Sequence, residues 1–443
     1  MKKGIITFMC LVLIVNFVSF DLFAKEKGPR ILIDPAKAIY GTPFSLKVTV
    51  LYPGENVLLK ASSTDKRGIK WESQAEFKAD KNGLINLANQ VPLKGDYSEK
   101  DVLGLLWSMK PVNSKRKMSY FNDREKGLSI KFIMTNSRGE TTTSELHRYY
   151  ENPEKKLACI QLDENGLKGF LYSPDIDKRY PGIILLGGSN GGALKWMAKA
   201  IASDGFSVLT LPYWKYPDLP QKMVNIPLEY FLKATKWMKK QKPVKKGKIG
   251  LIGGSRGGEL VLLLGSMFDE FKVIVAWVPA AHLWQGMEFT KLVPCWIHKG
   301  EPPPYLGSVV TEEELKKFST GAISSFRQYF EEDLKKLDPD LIKKAVIPVE
   351  KIKAPILMVS GTEDLTWPSA EFSEMIIERL NKHDFKFDYK HIKDENAGHQ
   401  VFIPDFIPGT YRAFNGGTRK AELHWSIKSW KQTLLFLHQY MDK

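Results

Sequence analysis

Cysteine is nearly absent from this chain, with three in 443 residues. Cys10 lies in an apolar leader, which leaves Cys159 and Cys295. Two cysteines cannot build a disulfide framework. Both sit among apolar or aromatic neighbours, so two buried free thiols are expected rather than one bridge. No cysteine or histidine spacing matches a metal site, and no metal or cofactor is expected. Beyond residue 24 no run approaches the ~20 apolar residues that a membrane-crossing helix needs. Internal repeats and low-complexity stretches are missing as well. The net charge is +15, yet no helix-turn-helix, zinc-finger or RNA-binding signature accompanies it. That combination argues against nucleic acid as a partner.

What remains is a globular composition with 43% apolar residues, and length enough for two or three domains at ~150 residues each. Residues 1–24 stand apart. Met1-Lys2-Lys3 is positive, 4–20 is almost wholly apolar, and Ala24 precedes the charged Lys25-Glu26-Lys27. This pattern predicts a secretory signal or an anchor, and hence export. Lys239, Lys240, Lys242, Lys245, Lys246 and Lys248 form a local cluster at a helix end and are read as solvated. A basic surface suits anionic substrates or association with an anionic membrane face. Nothing in the sequence calls for an obligate protein partner.

Residues 25–152 read as all-β. Alternating runs at 44–51, 56–63, 69–78, 128–135 and 140–147 are separated by turn signals such as Pro53-Gly54 and Lys81-Asn82-Gly83. Several short strands at this spacing predict a sandwich, whose core aromatics include Trp71 and Trp107. A polar break at 152–156 marks a change of pattern. Strands expected at 157–162, 167–172, 183–186, 206–211, 249–252, 273–278, 355–359 and 385–392 follow. From 183 onward they alternate with helices at 194–203, 228–240, 259–267, 370–382 and 423–440. That order predicts a mostly parallel sheet with helices on both faces over 153–443. Between about 280 and 350 the alternation lapses, apart from a charged helix-like run at 312–317. A long insertion of this kind is expected to cover the site.

The chemistry centres on Gly253-Gly254-Ser255-Arg256-Gly257, a G-x-S-x-G between an apolar strand and a helix. This context defines a nucleophile elbow, with small residues required where the backbone crowds. Serine needs a base, and the base needs an acid to hold it. The expected chain order places the acid next, at Asp364 in the loop after 355–359, with Glu363 as its competitor. His399 follows the last strand in Asn396-Ala397-Gly398-His399 and is the expected base. An oxyanion hole requires two backbone donors. One is assigned to Arg256, the other to Gly188 or Ser189 in the loop Gly187-Gly188-Ser189-Asn190-Gly191-Gly192. That loop is not G-x-G-x-x-G, so it does not read as a dinucleotide site.

With these residues stand others: Trp71-Glu72-Ser73, Phe77-Lys78-Ala79-Asp80, Gly104-Leu105-Leu106-Trp107-Ser108-Met109-Lys110-Pro111, Ile347-Pro348-Val349-Glu350 and Pro355-Ile356-Leu357. Taken in order, they resemble the acyl-CoA thioesterase and bile acid-CoA:amino acid N-acyltransferase family over nearly the whole chain. The resemblance implies an immunoglobulin-like sandwich followed by an α/β-hydrolase domain. It also implies hydrolysis of a fatty acyl-CoA through an acyl-enzyme, with Ser255, Asp364 and His399 as the triad. The family's amino-acid-transferring members use a cysteine nucleophile, so serine here points to water as the acceptor of a small-molecule acyl thioester. Export away from CoA leaves a secreted carboxylesterase as the alternative. An acyl transferase and a non-catalytic binding protein on the same frame complete the set.

Overall fold

The computed structural model describes residues 28–114, 121, 127–247, 249–320, 325–405, 407–412 and 414–442. The leader at 1–24 lies outside the described residues.

The first region is all-β, as expected, and consists of two sheets. In the smaller, Ser45–Thr49 lies between Arg30–Asp34 and Ile85–Asn86. The larger runs Lys37–Ile39, Thr141–Tyr149, Leu128–Asn136, Asn56–Thr64, Lys70–Lys78 and Lys94–Gly95, with Lys110–Pro111 also pairing on Lys70–Lys78. Strand alternation decides which side chains go inside. Along Lys70–Lys78 the residues Trp71, Ser73, Ala75 and Phe77 are buried and their neighbours are not. They meet Leu46 and Val48 of the smaller sheet in one apolar core.

The second region begins with two antiparallel strands, β1 (Ala158–Glu164) and β2 (Leu167–Ser173). The sheet continues with β3 (Gly182–Leu186), β4 (Ser207–Thr210), β5 (Ile249–Gly254), β6 (Phe271–Trp277), β7 (Ile356–Gly361) and β8 (Tyr389–Asp394). Their spatial order is β1-β2-β4-β3-β5-β6-β7-β8, and every pair from β4 onward is parallel. β3 and β5 are buried along their whole length, which explains their unbroken apolar or glycine sequence.

Helices α1 (Lys195–Ser203), α2 (Leu228–Met238), α3 (Arg256–Met267), α4 (Glu312–Thr320), α5 (Arg327–Lys336), α6 (Pro339–Ala345), α7 (Ser369–Lys382) and α8 (Arg419–Met441) complete the region. Ile184, Leu251, Ile274 and Met358 point to the face covered by α2, α3 and α7. Their strand neighbours Ile183, Leu185, Val275 and Leu357 point to the face covered by α1 and α8. The core of the first region runs without a break into this second face.

Three expectations need correction. Cys159 is exposed on β1, an edge strand, and only Cys295 is buried; both are free thiols. The last strand starts at Tyr389 rather than 385, because the Phe385 N–H caps the end of α7 through Leu380 O and delays the extended run. The segment 280–350 is more helical than its sequence suggested, since α5 and α6 follow α4.

Candidate active site

Ser255 follows β5 and is the N-cap of α3, with φ 58° and ψ −122°. A non-glycine residue rarely holds positive φ, and such strain persists only where neighbours enforce it. Here the Ser255 N–H donates to Trp277 O at 2.8 Å. A Cβ on Gly253 would meet Gly257 O at 2.1 Å, and one on Gly257 would meet Leu186 O at 2.7 Å. Both outer positions of the motif must therefore be glycine, and the turn that they permit turns Ser255 towards a cavity.

Asp364 sits in the loop after β7 and is fully buried. Its Oδ1 accepts the N–H of Thr366 at 2.8 Å and of Trp367 at 3.3 Å. Its Oδ2 accepts Ser369 Oγ at 2.6 Å and lies 2.8 Å from His399 Nδ1. The competitor Glu363 is exposed. His399 follows β8, and its N–H donates to Asn415 O at 2.7 Å. The next residue, Gln400, donates its N–H to the buried Glu422 of α8 at 3.2 Å, and Glu422 pairs with Arg412 at 2.5 Å. The His399 ring lies 6.3 Å from Trp367, which lines the same cavity as Ser255. The Ser255 side chain makes no hydrogen bond to His399; contacts of this kind are commonly long until substrate draws them together. The remaining histidines do not enter this cluster. His282 is buried among Trp284 and Phe372, and His391 bonds Ser360 and Glu374.

The glycine-rich loop after β3 lies against the elbow. A Cβ on Gly188 would fall 3.2 Å from Ser255 Cβ and 3.4 Å from Arg256 N. Tyr213 Oη donates to Gly187 O at 2.6 Å, and Trp214 Nε1 to Gly188 O at 3.2 Å. These bonds fix the loop's carbonyls. Arg256 is the first residue of α3, so its N–H has no intrahelical partner. Ser189 and Arg256 line the cavity with Ser255, whereas Gly188 lies behind them.

The Arg256 side chain has a role that its motif position does not reveal. Nη1 donates to Glu259 Oε2 at 2.7 Å, and Nη2 to Trp284 O at 2.9 Å and Gln285 O at 2.6 Å. Trp296 Nε1 donates to the other Glu259 oxygen at 2.6 Å. Burial pushes the Glu259 carboxyl up to about 7, against the pull of Arg256. This buried pair ties the first turn of α3 to the 284–296 segment.

The cavity measures ~190 Å³. Its walls are mainly apolar, with Trp284, Met287, Val310, Phe326, Phe330 and Trp367 among them. Most come from residues 284–333, the segment expected to cover the site. Sequence reasoning did not find Gln285, Ser308 or Asp333, which line it as well. A helix start is readable just beyond this wall, where Asp338 caps the Asp340 N–H ahead of Pro339, the first residue of α6. Among the described residues no group of side chains is arranged to hold a metal ion, and no helix is long and apolar enough to cross a membrane.

Comparison with known families adds to this geometry. Residues 226–443 match the BAAT / acyl-CoA thioester hydrolase C-terminal model, and 41–161 match the acyl-CoA thioester hydrolase/BAAT N-terminal region. The chain belongs to the acyl-CoA thioesterase and bile acid-CoA:amino acid N-acyltransferase family. Within that family it is 27% identical to acyl-coenzyme A thioesterase 6 of Mus musculus, over 93% of this chain and 96% of the relative. It is 26% identical to acyl-coenzyme A thioesterase 1 of Homo sapiens, over 93% and 96%. Identity with the bile acid-CoA:amino acid N-acyltransferase of Mus musculus is 29%, over 84% and 86%.

Proposed function

We propose that this chain is a serine thioesterase that hydrolyses acyl-CoA through an acyl-enzyme on Ser255. One observation carries the reading: a serine held at φ 58° opens into an apolar cavity whose wall, at Trp367, adjoins a buried Asp364–His399 pair. His399 Nε2 takes the Ser255 proton while Asp364 holds Nδ1–H, fixing the tautomer. Oγ attacks the thioester carbon, and the oxyanion is held by the Arg256 N–H and that of Ser189 or Gly188. Collapse expels the CoA thiolate, which takes the proton back from His399. Water, activated by the same imidazole, then releases the acid. Residues 25–152 act as an immunoglobulin-like sandwich beside a catalytic unit at 153–443.

The test is turnover of purified protein on acyl-CoAs, read by thiol release with and without glycine. Thiol release with free acid as the product is expected, and Ser255→Ala lowers it by roughly three to six orders of magnitude. Accumulation of N-acylglycine instead would move the assignment to transfer. A second reading, an exported carboxylesterase, is favoured by the apolar leader at 4–20. Recovery of the protein outside the cytoplasm, together with higher kcat/KM on oxygen esters, would select it.

A further inference from the structure

The cavity beside Ser255 is not uniformly apolar, and its exceptions are grouped. Phe326, Tyr329, Phe330 and Asp333 all line it. Their spacing of i, i+3, i+4 and i+7 puts them on one face of α5 and the residue before it. Three aromatics lead to a carboxylate where the pattern calls for a fourth apolar residue. Asp333 Oδ1 accepts Ser308 Oγ at 2.8 Å. Ser308 O in turn accepts Gln285 Nε2 at 2.8 Å. Because a carbonyl can only accept, that bond fixes the Gln285 amide, and its Oε1 is left buried with no partner. Packing holds the side chain in place: a Cβ on Gly307 would lie 2.6 Å from Gln285 Cδ. Asp333 Oδ2 is thus available as an acceptor in a cavity that otherwise suits a hydrocarbon, while Gln285 Oε1 is sealed from it. Burial raises the Asp333 carboxyl above its ordinary range.

Resting on the serine-hydrolase reading of this site, we propose that the preferred acyl group carries a hydrogen-bond donor, a hydroxyl or amine, that is received by Asp333. A plain alkyl chain filling this cavity would strip water from the Asp333 carboxylate and return nothing, and a buried acceptor without a donor is costly. A site of this kind discriminates strongly against the analogue that lacks the donor, more than an apolar pocket discriminates over one methylene.

The experiment uses chain-matched acyl groups: unsubstituted, hydroxylated at successive positions, and amino-substituted. Each is offered both as a CoA thioester and as a p-nitrophenyl ester. Within either leaving-group series, the best donor-bearing chain should exceed the plain chain in kcat/KM by at least about tenfold. Asp333→Leu should bring that ratio to one or below, and Asp333→Asn, which keeps an acceptor oxygen, should retain part of it. A hydroxyl preference identifies a hydroxyacyl substrate, and an amine preference identifies an aminoacyl chain. A wild-type ratio at or below one at every position overturns the proposal, as does an unchanged ratio in a folded Asp333→Leu. Cleavage of oxygen esters alone defeats the thioesterase reading while leaving the ratio readable. Should neither ester turn over, binding of alkanediols against alkanols, followed by fluorescence of Trp284 and Trp367, decides it. Equal or weaker binding of the diols counts against the proposal.

Discussion

His282 shows what burial alone does to one side chain. Neither ring nitrogen has a partner, and the ring packs edge-on against Trp284 and Phe372. Burial drives its pKa from 6.5 down to about 4. The folded state therefore refuses a proton that the unfolded chain accepts, so this contribution is complete above pH 6.5 and lost as pH falls towards 4. Its size is on the order of 3 kcal/mol. Denaturant titrations at pH 7 and pH 4.5 should show a smaller acid loss for His282→Leu than for wild type; identical losses would remove His282 from the account. The residues expected to do chemistry were easier to find than this one. Ser255 lies in a five-residue pattern whose glycines are sterically forced, and Asp364 and His399 follow strands in a fixed order. Asp364 is the expected acid with Glu363 as its competitor, and burial and the 2.8 Å contact with His399 distinguish the two. Asp333 and Gln285 were out of reach, because their meaning comes from a cavity assembled across distant segments.

At the scale of elements, strand positions followed from alternation and apolar runs to within a few residues, since buried parallel strands have little freedom of composition. α5 escaped notice because only Tyr329, Phe330 and Leu334 interrupt its polar and charged residues, and none of the helix is fully buried. Helix α3 carries the clearest consequence. Its first turn supplies the Arg256 N–H, and the Arg256 guanidinium is locked by Glu259 and two carbonyls of the 284–285 segment. Removing one member of a buried ion pair leaves a bare charge, at a cost of roughly 3–5 kcal/mol. Glu259→Gln should lower the melting temperature, and below that temperature it should depress kcat more than it raises KM. Unchanged kcat in the folded variant would confine Glu259 to stability.

Considered as a whole, the molecule has the loop that follows His399 held from both sides. Asp405, in the loop after His399, accepts the Gly41 N–H at 2.6 Å, and Arg148 lies 3.9 Å from the same oxygen. Ile407 O accepts the Phe121 N–H, and Arg419 of α8 reaches Met109 O. Tyr150 and Trp196 meet across the two regions with ring centres 5.3 Å apart. Residues 153–443 expressed alone should therefore aggregate or lose most of their turnover, as light scattering and thiol release would record. A monodisperse fragment with full activity would show that the β-region is dispensable. The continuous apolar interior has one more consequence, which concerns ancestry. A wall that belongs to two halves at once constrains both, so a change of a large side chain on either side must be answered on the other. The halves of such a protein are expected to drift together, and chimaeras that mix them from distant relatives should fail more often than chimaeras cut within either half.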